Sequence, residues 1–343
     1  MRIALAQINV TVGALAPNAE KIARVAREAA EAGADWVVFP ELALCGYPPE
    51  DLILKPHFLH DVEEQAVRLA GEVPPDTVVV FGAPDRHGGR VFNAAFVCWG
   101  GKIVARAHKM TLPNYGVFDE KRLFAEGDRL TVIDWGGVRV GIHICEDSWN
   151  PRERSCVALG GAGLGALVNL SASPYHRGKM EERERILSGA ASAARAPLCY
   201  VNLVGGQDEL VFDGASFVIA PDGSVRARAR AFHDDLLMVE LAELPRARSA
   251  APLGVHLVPL DAPPRPPAPS PAASARMEPR PAPAAEVYEA LKLGLRDYMD
   301  KNGFQRCVVS ISGGVDSALV AAIAVDALGP ERVAGVTLPS RYS

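Results

Sequence analysis

The chain of 343 residues has a formal net charge of −5, and 49% of its residues are hydrophobic. This composition is typical of a globular protein with a buried core, and the absence of a basic block argues against a nucleic-acid partner. No apolar run reaches about 18 residues without a charge or a glycine, so no membrane span is expected. The six cysteines form no CxxC pair, which disfavours a zinc site and fits free thiols in a reducing cytoplasm.

Short β-branched runs and helical stretches alternate over the first 245 residues, which predicts a layered α/β architecture. The strands are expected within residues 3–10, 36–44, 77–84, 138–147, 165–173 and 197–206. The helices are expected over residues 18–34 and 60–71. Two hairpins are predicted, one over residues 90–109 with Gly100 and Gly101 at its turn, and one around residues 221–223.

The composition then changes. Residues 249–284 are rich in proline and alanine with little periodicity, which predicts an extended linker, although a long surface loop within one domain remains an alternative. Residues 285–343 begin with an amphipathic helix that Gly303 is placed to cap. A strand, a Gly-Gly turn, a helix and the start of another strand follow. We therefore expect a first domain over 1–248 and an incomplete second domain over 285–343.

Three reactive side chains follow hydrophobic strands, where α/β sheets usually keep their sites. They are Glu41 in FPELALCGYPPEDL, Lys109 in AHKMTLPNYGVFDEKRLF and Cys145 in GIHICEDSWNP. A thiolate is the effective nucleophile, a carboxylate can take its proton and pass it to a leaving amine, and an ammonium can stabilise an oxyanion. Taken singly, a strand cysteine is usually a small buried hydrophobe, and a strand-end glutamate or lysine is usually solvated or paired.

In combination, the three segments resemble the nitrilase, or carbon–nitrogen hydrolase, superfamily over roughly residues 1–245. The resemblance implies an αββα sandwich and a catalytic triad of Glu41, Lys109 and Cys145. It also implies an assisting second glutamate, for which Glu120 is the candidate.

The same resemblance extends to glutamine binding. Members that hydrolyse glutamine hold its α-amino and α-carboxylate groups with a tyrosine after the lysine and with a serine and a lysine beyond the cysteine. The matching residues here are Tyr115, Ser173 and Lys179, the last two in SASPYHRGK, and Glu146 beside the nucleophile is a further candidate. A lone Lys179 would equally fit an ordinary solvated lysine.

The segment SISGGVDSALV follows a buried strand and opens a helix, where free backbone N–H groups attract phosphate oxygens. The residues expected to contact ATP are Ser310, Ile311, Ser312, Gly313, Gly314, Val315, Asp316 and Ser317. Asp316 is also placed to cap the helix or to bind Mg²⁺. The loop lacks the lysine of GxxxxGK[ST], and it resembles the pyrophosphate loop of ATP pyrophosphatases, which implies a Rossmann-like parallel α/β domain.

An amidohydrolase placed before this loop resembles glutamine-dependent NAD(+) synthetases. The resemblance implies L-glutamine, ATP with Mg²⁺ and deamido-NAD as substrates and cofactors, passage of ammonia between sites, and homo-oligomers. Because that family's synthetase domain continues further, we expect this chain to retain only glutaminase chemistry. The alternatives are a stand-alone amidase or nitrilase and a catalytically idle assembly module.

Overall fold

The architecture consists of two β-sheets packed face to face with helices on their outer surfaces. The computed structural model describes residues 1–150, 154–242, 244–245, 252–261 and 276–337. The strands are β1 Arg2–Gln7, β2 Trp36–Val38, β3 Val78–His87, β4 Arg90–Trp99, β5 Lys102–His108, β6 Leu130–Trp135, β7 Val138–Ile144, β8 Leu164–Ser171, β9 Leu198–Asn202, β10 Val204–Gln207, β11 Leu210–Asp213, β12 Phe217–Ile219, β13 Val225–Arg228, β14 Asp235–Glu240, β15 Val255–Leu260, β16 Cys307–Ser310 and β17 Val333–Val336. The helices are α1 Leu15–Glu31, α2 Pro56–Glu72, α3 Glu120–Leu123, α4 Arg154–Gly160, α5 Lys179–Ala194, α6 Pro283–Lys301 and α7 Val315–Leu328, with short 3-10 helices at Glu50–Leu54, Cys145–Ser148 and Pro330–Arg332.

The first sheet has the strand order β14-β1-β2-β3-β4-β5, and the second has the order β13-β12-β9-β8-β7-β6-β15. Both mix parallel and antiparallel neighbours. The predicted hairpins are confirmed as β4–β5 and β12–β13. Gly100 and Gly101 have φ values of +59° and +74°, which the tight turn between β4 and β5 requires of both residues.

Side-chain alternation along β1 explains how the layers assemble. Ile3 and Leu5 point into a core between the sheets, which they share with Ile142 of β7. Ala4 and Ala6 point the other way, into the core beneath α1 and α2. Because successive strand residues face opposite sides, a strand apolar on both faces must be covered on both faces. The αββα sandwich expected from the sequence is therefore confirmed.

Helices α1 and α2 cover the outer face of the first sheet, and α4 and α5 cover that of the second. In α2 the buried side chains Val62, Ala66 and Leu69 recur at helical spacing. The helix predicted from residue 60 begins earlier, at Pro56, because the first turn of a helix leaves backbone N–H groups unbonded and tolerates proline there.

One strand was not expected from the sequence. Residues 255–260, inside the predicted linker, form β15 and run parallel to β6 at the edge of the second sheet. An edge strand gains its hydrogen bonds from one neighbour and tolerates Pro259, so it needs no strong pattern of its own. Residues 249–251 and 262–275 of the predicted linker lie outside the described part of the chain. The division into domains at residues 248 and 285 remains a prediction.

We call the two packed sheets with α1 to α5 the first unit, and the chain from α6 onward the second unit. The second unit contains the parallel pair β16–β17, connected through α7, which agrees with the Rossmann-like start expected for this part of the chain. Its first helix, α6, lies against β10 and β11 of the first unit. Asp297 of α6 accepts hydrogen bonds from Asn9 Nδ2 at 2.6 Å and from Gly206 N at 2.7 Å. Lys301 Nζ donates to the carbonyls of Val10 and Gly206 at 2.8 and 2.7 Å.

No helix in the described ranges is both long enough and apolar enough to cross a membrane.

Close packing around Gly82 yields a test of how the Glu41 loop is held. A Cβ at Gly82 would lie 2.1 Å from Leu42 N and 2.7 Å from the carbonyl carbon of Glu41. We expect Gly82→Ala to reduce the free energy of unfolding by at least about 1–3 kcal/mol, the usual result of overpacking, and to lower Tm in a thermal melt.

Gly71→Ala is the matched control. Gly71 lies in α2, and a Cβ there meets no atom within 4 Å. Alanine should raise stability there by about 0.5–1 kcal/mol because it favours helix. Equal Tm values for the two variants would contradict the close approach at Gly82.

Candidate active site

The two sheets bring Glu41, Lys109 and Cys145 to one buried place. Glu41 lies in the turn after β2, and Lys109 directly follows β5, both in the first sheet. Cys145 directly follows β7 of the second sheet. The relative exposures of the three residues are 1%, 0% and 3%. The charges of Glu41 and Lys109 both act on the Cys145 thiol.

A buried hydrogen-bond network links the ammonium of Lys109 to two carboxylates. Lys109 Nζ donates to Glu41 Oε1 at 2.7 Å and contacts both carboxylate oxygens of Glu120 at 2.8 and 2.9 Å. Asn93 Nδ2 also donates to Glu41 Oε1, at 2.7 Å, and Ala172 N donates to Glu41 Oε2 at 2.9 Å. Glu41 is therefore fixed by groups from three strands or strand ends.

Burial and charge oppose each other in this network. Burial lowers the pKa of Lys109, but the charges of Glu120 and Glu41 outweigh burial and raise it well above its usual value, so the ammonium persists. Burial also raises the pKa of Glu120; Lys109 opposes that rise and the charge of Glu41 adds to it. Tyr47 OH donates to Glu120 Oε1 at 3.0 Å. Removing one partner of such a buried ion pair typically costs about 3–5 kcal/mol, because the other charge stays behind.

Cys145 has a strained backbone and a protonated thiol. Its φ of +45° lies in the left-handed region, which costs a residue with a side chain about 1–3 kcal/mol. Burial raises the pKa of the thiol, the charge of Glu41 raises it further, and Lys109 opposes the rise. At neutral pH the sulfur therefore needs a base to remove its proton before it can attack.

A polar cluster on β8 supports the Cys145 backbone. Asn169 Nδ2 donates to the carbonyl of Cys145 at 3.1 Å and to Ser148 Oγ at 2.7 Å, and Ser171 Oγ donates to Asn169 Oδ1 at 2.7 Å. His143 Nδ1 lies 3.0 Å from the same Ser148 hydroxyl. Burial lowers the pKa of His143 to about 3, so this imidazole stays neutral and is a poor proton acceptor at neutral pH.

Cys145 lines a pocket with a volume of about 320 Å³. All four predicted glutamine-binding residues line it: Tyr115, Glu146, Ser173 and Lys179. The pocket thus presents a carboxylate, an ammonium and two hydroxyls around the thiol. Such a set of charges fits a small zwitterion better than an apolar ligand.

The polar side chains of the pocket already have partners within the protein. Tyr115 OH lies 3.0 Å from each carboxylate oxygen of Glu146, so it donates to that carboxylate. Burial raises the pKa of Glu146, and this hydrogen bond opposes the rise. Lys179 Nζ lies 4.0 Å from the ring centroid of Trp149 and 3.2 Å from a carboxylate oxygen of Glu182.

Ser173 is hydrogen-bonded to two buried side chains. Its hydroxyl accepts a hydrogen bond from Arg183 at 3.4 Å, and its backbone N–H donates to Asn202 Oδ1 at 2.9 Å. Arg183 is itself paired with Asp213 at 3.0 Å, and both are fully buried.

Sequence reasoning missed the residues that hold the triad in place, above all Tyr47, Asn93, Asp147 and Asn169. One signal for them was available. Asn93 and Asn169 are polar residues inside otherwise apolar strands, and buried polar groups need partners. The residues that these two side chains contact lie far away in the sequence. The pattern therefore indicates that Asn93 and Asn169 are buried, but it does not predict which residues they contact.

The predicted phosphate-binding segment runs from the last residue of β16 into the first turn of α7. Gly313 has φ +87°, Ser312 N donates to Ser317 Oγ at 3.2 Å, and Ser317 Oγ donates to the carbonyl of Gly314 at 3.0 Å. Asp316 lies in the first turn of α7. Across the described residues, no three His, Cys, Asp or Glu side chains cluster as a bound metal ion would require.

Comparison with known proteins finds a family match for each of the two units. The carbon-nitrogen hydrolase family model matches residues 2–250, and the NAD synthase model matches residues 287–343. The chain is 40% identical to the glutamine-dependent NAD(+) synthetase of Synechocystis sp., with 99% of this chain and 60% of that protein aligned. It is 43% identical to that of Aquifex aeolicus, with 100% of this chain and 61% of that protein aligned. The chain thus spans about 60% of the length of these curated relatives.

Solved structures give the same picture. The glutamine-dependent NAD+ synthetase of Acinetobacter baumannii, in complex with ADP, superposes with a TM-score of 0.84 at 36% identity, covering 100% of this chain and 60% of that one. An amidase from Nesterenkonia sp. superposes with a TM-score of 0.61 at 25% identity, covering 70% of this chain and 89% of that one. Because the carbon-nitrogen hydrolase model matches residues 2–250, the greater part of the sequence, this chain belongs to the carbon–nitrogen hydrolase family.

Proposed function

We propose that the first unit hydrolyses the side-chain amide of L-glutamine to glutamate and ammonia, with Cys145 as the nucleophile. The observation that carries this proposal is the buried contact of Lys109 Nζ with Glu41 and Glu120, beside a thiol at the floor of a charged pocket. A base, a cation and a nucleophile are the three groups that amide hydrolysis through a thioester needs.

In the first half-reaction, Glu41 takes the proton from Cys145 Sγ. The thiolate attacks the amide carbon, a C–S bond forms, and the carbonyl oxygen becomes an oxyanion. The ammonium of Lys109, which stays charged between Glu41 and Glu120, stabilises this oxyanion through its positive charge. The C–N bond then breaks, and Glu41 returns the proton to the leaving nitrogen, which departs as ammonia.

In the second half-reaction, Glu41 takes a proton from water as the water oxygen attacks the thioester carbon. The C–S bond breaks, the sulfur takes up the proton held by Glu41, and glutamate leaves. Glu120 assists by keeping Lys109 charged and fixed in position, since it contacts Nζ with both carboxylate oxygens.

The pocket residues supply the selectivity for an amino acid. In our proposal Glu146 and Tyr115 hold the α-ammonium of glutamine, and Lys179 holds its α-carboxylate, with Ser173 hydrogen-bonding nearby. Charge-assisted hydrogen bonds of this kind are worth about 1.5–3 kcal/mol each. A stand-alone amidase for small uncharged amides would have little use for them, so the pocket favours glutamine over that alternative.

For the longer protein represented by the relatives, we propose that the ammonia amidates deamido-NAD after ATP adenylates it. The support is the NAD synthase match over residues 287–343 and the loop at Ser312, which presents the N-terminus of α7. Mg²⁺ usually binds phosphates and one or two carboxylates, and Asp316 would supply one such carboxylate. A cytoplasmic homo-oligomer is part of the same proposal.

The first test concerns the nucleophile. Cys145→Ala should lower ammonia release from glutamine by at least about 10⁴-fold, because members of a catalytic triad act as a unit. Cys98→Ala is the control, since Cys98 is equally buried but belongs to the outer core of the first sheet. A near-normal rate in a folded Cys145→Ala protein would refute the assignment.

The second test concerns recognition. Lys179→Ala and Tyr115→Phe should raise KM for glutamine about 10-fold or more, the equivalent of one lost charge-assisted hydrogen bond, and should change kcat less. Lys102→Ala serves as the control, because Lys102 is exposed at the start of β5. Unchanged KM values, or equal turnover of glutamine and simple amides by the unmodified chain, would favour the amidase alternative.

A further inference from the structure

Asp147 connects the two segments that carry the cation and the nucleophile. Its Oδ1 accepts hydrogen bonds from Met110 N at 2.9 Å and Thr111 N at 2.8 Å. Its Oδ2 accepts one from Ile144 N at 3.0 Å. The residue is 1% exposed, so water does not replace these partners.

The three donors lie at the two strand ends that carry Lys109 and Cys145. Met110 and Thr111 directly follow Lys109 at the end of β5, which belongs to the first sheet. Ile144 directly precedes Cys145 at the end of β7, which belongs to the second sheet. One carboxylate therefore bridges the two sheets at the point where the ammonium and the thiol leave them.

Asp147 is itself anchored from a third direction. Its carbonyl oxygen lies 3.3 Å from Ser155 Oγ and 3.6 Å from Cys156 Sγ, and both of these side chains belong to α4. These contacts attach Asp147 to a helix on the outer face of the second sheet, which restrains it independently of the two strand ends.

The geometry points to Asp147 as a positioning residue that sets the distance and orientation between Lys109 and Cys145. This inference rests on the proposed function, in which those two groups act on one carbonyl. Asp147 acts through Lys109 and Cys145 and takes no proton in the reaction. A displacement of about 1 Å between reacting groups commonly costs about 10²-fold in rate.

A carboxylate suits this position better than an amide. Three N–H groups converge on two oxygens, and an asparagine would offer one oxygen and turn an NH₂ group toward an N–H donor. Burial outweighs the hydrogen bonds from Ile144, Thr111 and Met110 and the charge of Lys109, and the pKa of Asp147 is raised to about 7. The backbone donors favour the ionised form of Asp147 and so oppose the effect of burial.

The experiment compares Asp147→Asn with the unmodified chain by steady-state kinetics and by the rate at which iodoacetamide alkylates Cys145, followed by mass spectrometry of the Cys145 peptide. We expect kcat to fall about 10²-fold with KM changed less than about 3-fold. Alkylation should slow, and its pH midpoint should move upward, because a displaced Lys109 stabilises the thiolate less. Assays are run well below the lower Tm.

Asp134→Asn is the matched control, because Asp134 accepts a backbone hydrogen bond from Gly137 at 2.8 Å in the turn before β7, away from the pocket. It should change neither kcat nor alkylation. If Asp147→Asn does not fold, Asp147→Ser, which leaves room for water, is used with the same expectations.

Unchanged kcat and alkylation in folded Asp147 variants would overturn the inference. It would also be overturned if their activity fell only in proportion to the folded fraction. An unmodified chain that releases no ammonia from glutamine would refute the proposed function instead, and the alkylation comparison would still decide the role of Asp147.

Discussion

The structure of the candidate site depends on one buried ammonium. Lys109 is fully buried between the carboxyl groups of Glu41 and Glu120, so an ionic charge lies in the protein interior. Such a charge is tolerated only where hydrogen-bond donors surround it. Asn93, the backbone of Ala172 and Tyr47 supply those donors, and they come from both sheets and from the loop after β2. The face-to-face packing of the sheets is thus a requirement of the site.

The same arrangement supports the proposal that the Cys145 thiol, which is protonated at rest, acts as a nucleophile once a base takes its proton. Burial and the charge of Glu41 keep Cys145 protonated in the resting pocket, while Lys109 favours its ionised form. In the proposed mechanism, a substrate carbonyl that engages Lys109 places its carbon beside the sulfur, and Glu41 takes the thiol proton as the C–S bond forms. The left-handed backbone at Cys145, held by Asn169, aims the sulfur into the pocket lined by Tyr115 and Lys179.

Local patterns predicted much of the fold, whereas long-range pairings escaped them. Strand β1 and the Gly100-Gly101 turn have local causes, and both were predicted. The strand at 255–260 has no such cause, since its hydrogen bonds come from β6, more than a hundred residues earlier. The same holds for the site. Motifs single out the proposed triad and Glu120, whereas the proposed role of Asp147 depends on the convergence of Met110 N and Ile144 N on one carboxylate, which no local pattern encodes.

The amino-acid composition changes between the two units, but in the structure apolar side chains of both units pack together. Val204 and Phe232 of the first unit share one buried cluster with Ala290 and Leu293 of α6. Tyr175, which lines the pocket, packs edge-on against Phe232 with ring centroids 5.5 Å apart. Without α6, these apolar side chains would be exposed, at a cost of about 25 cal/mol for each Å². The Tyr175 side of the pocket at Cys145 is therefore supported by the first helix of the second unit, so the folding of one unit contributes to the order of the other unit's candidate site.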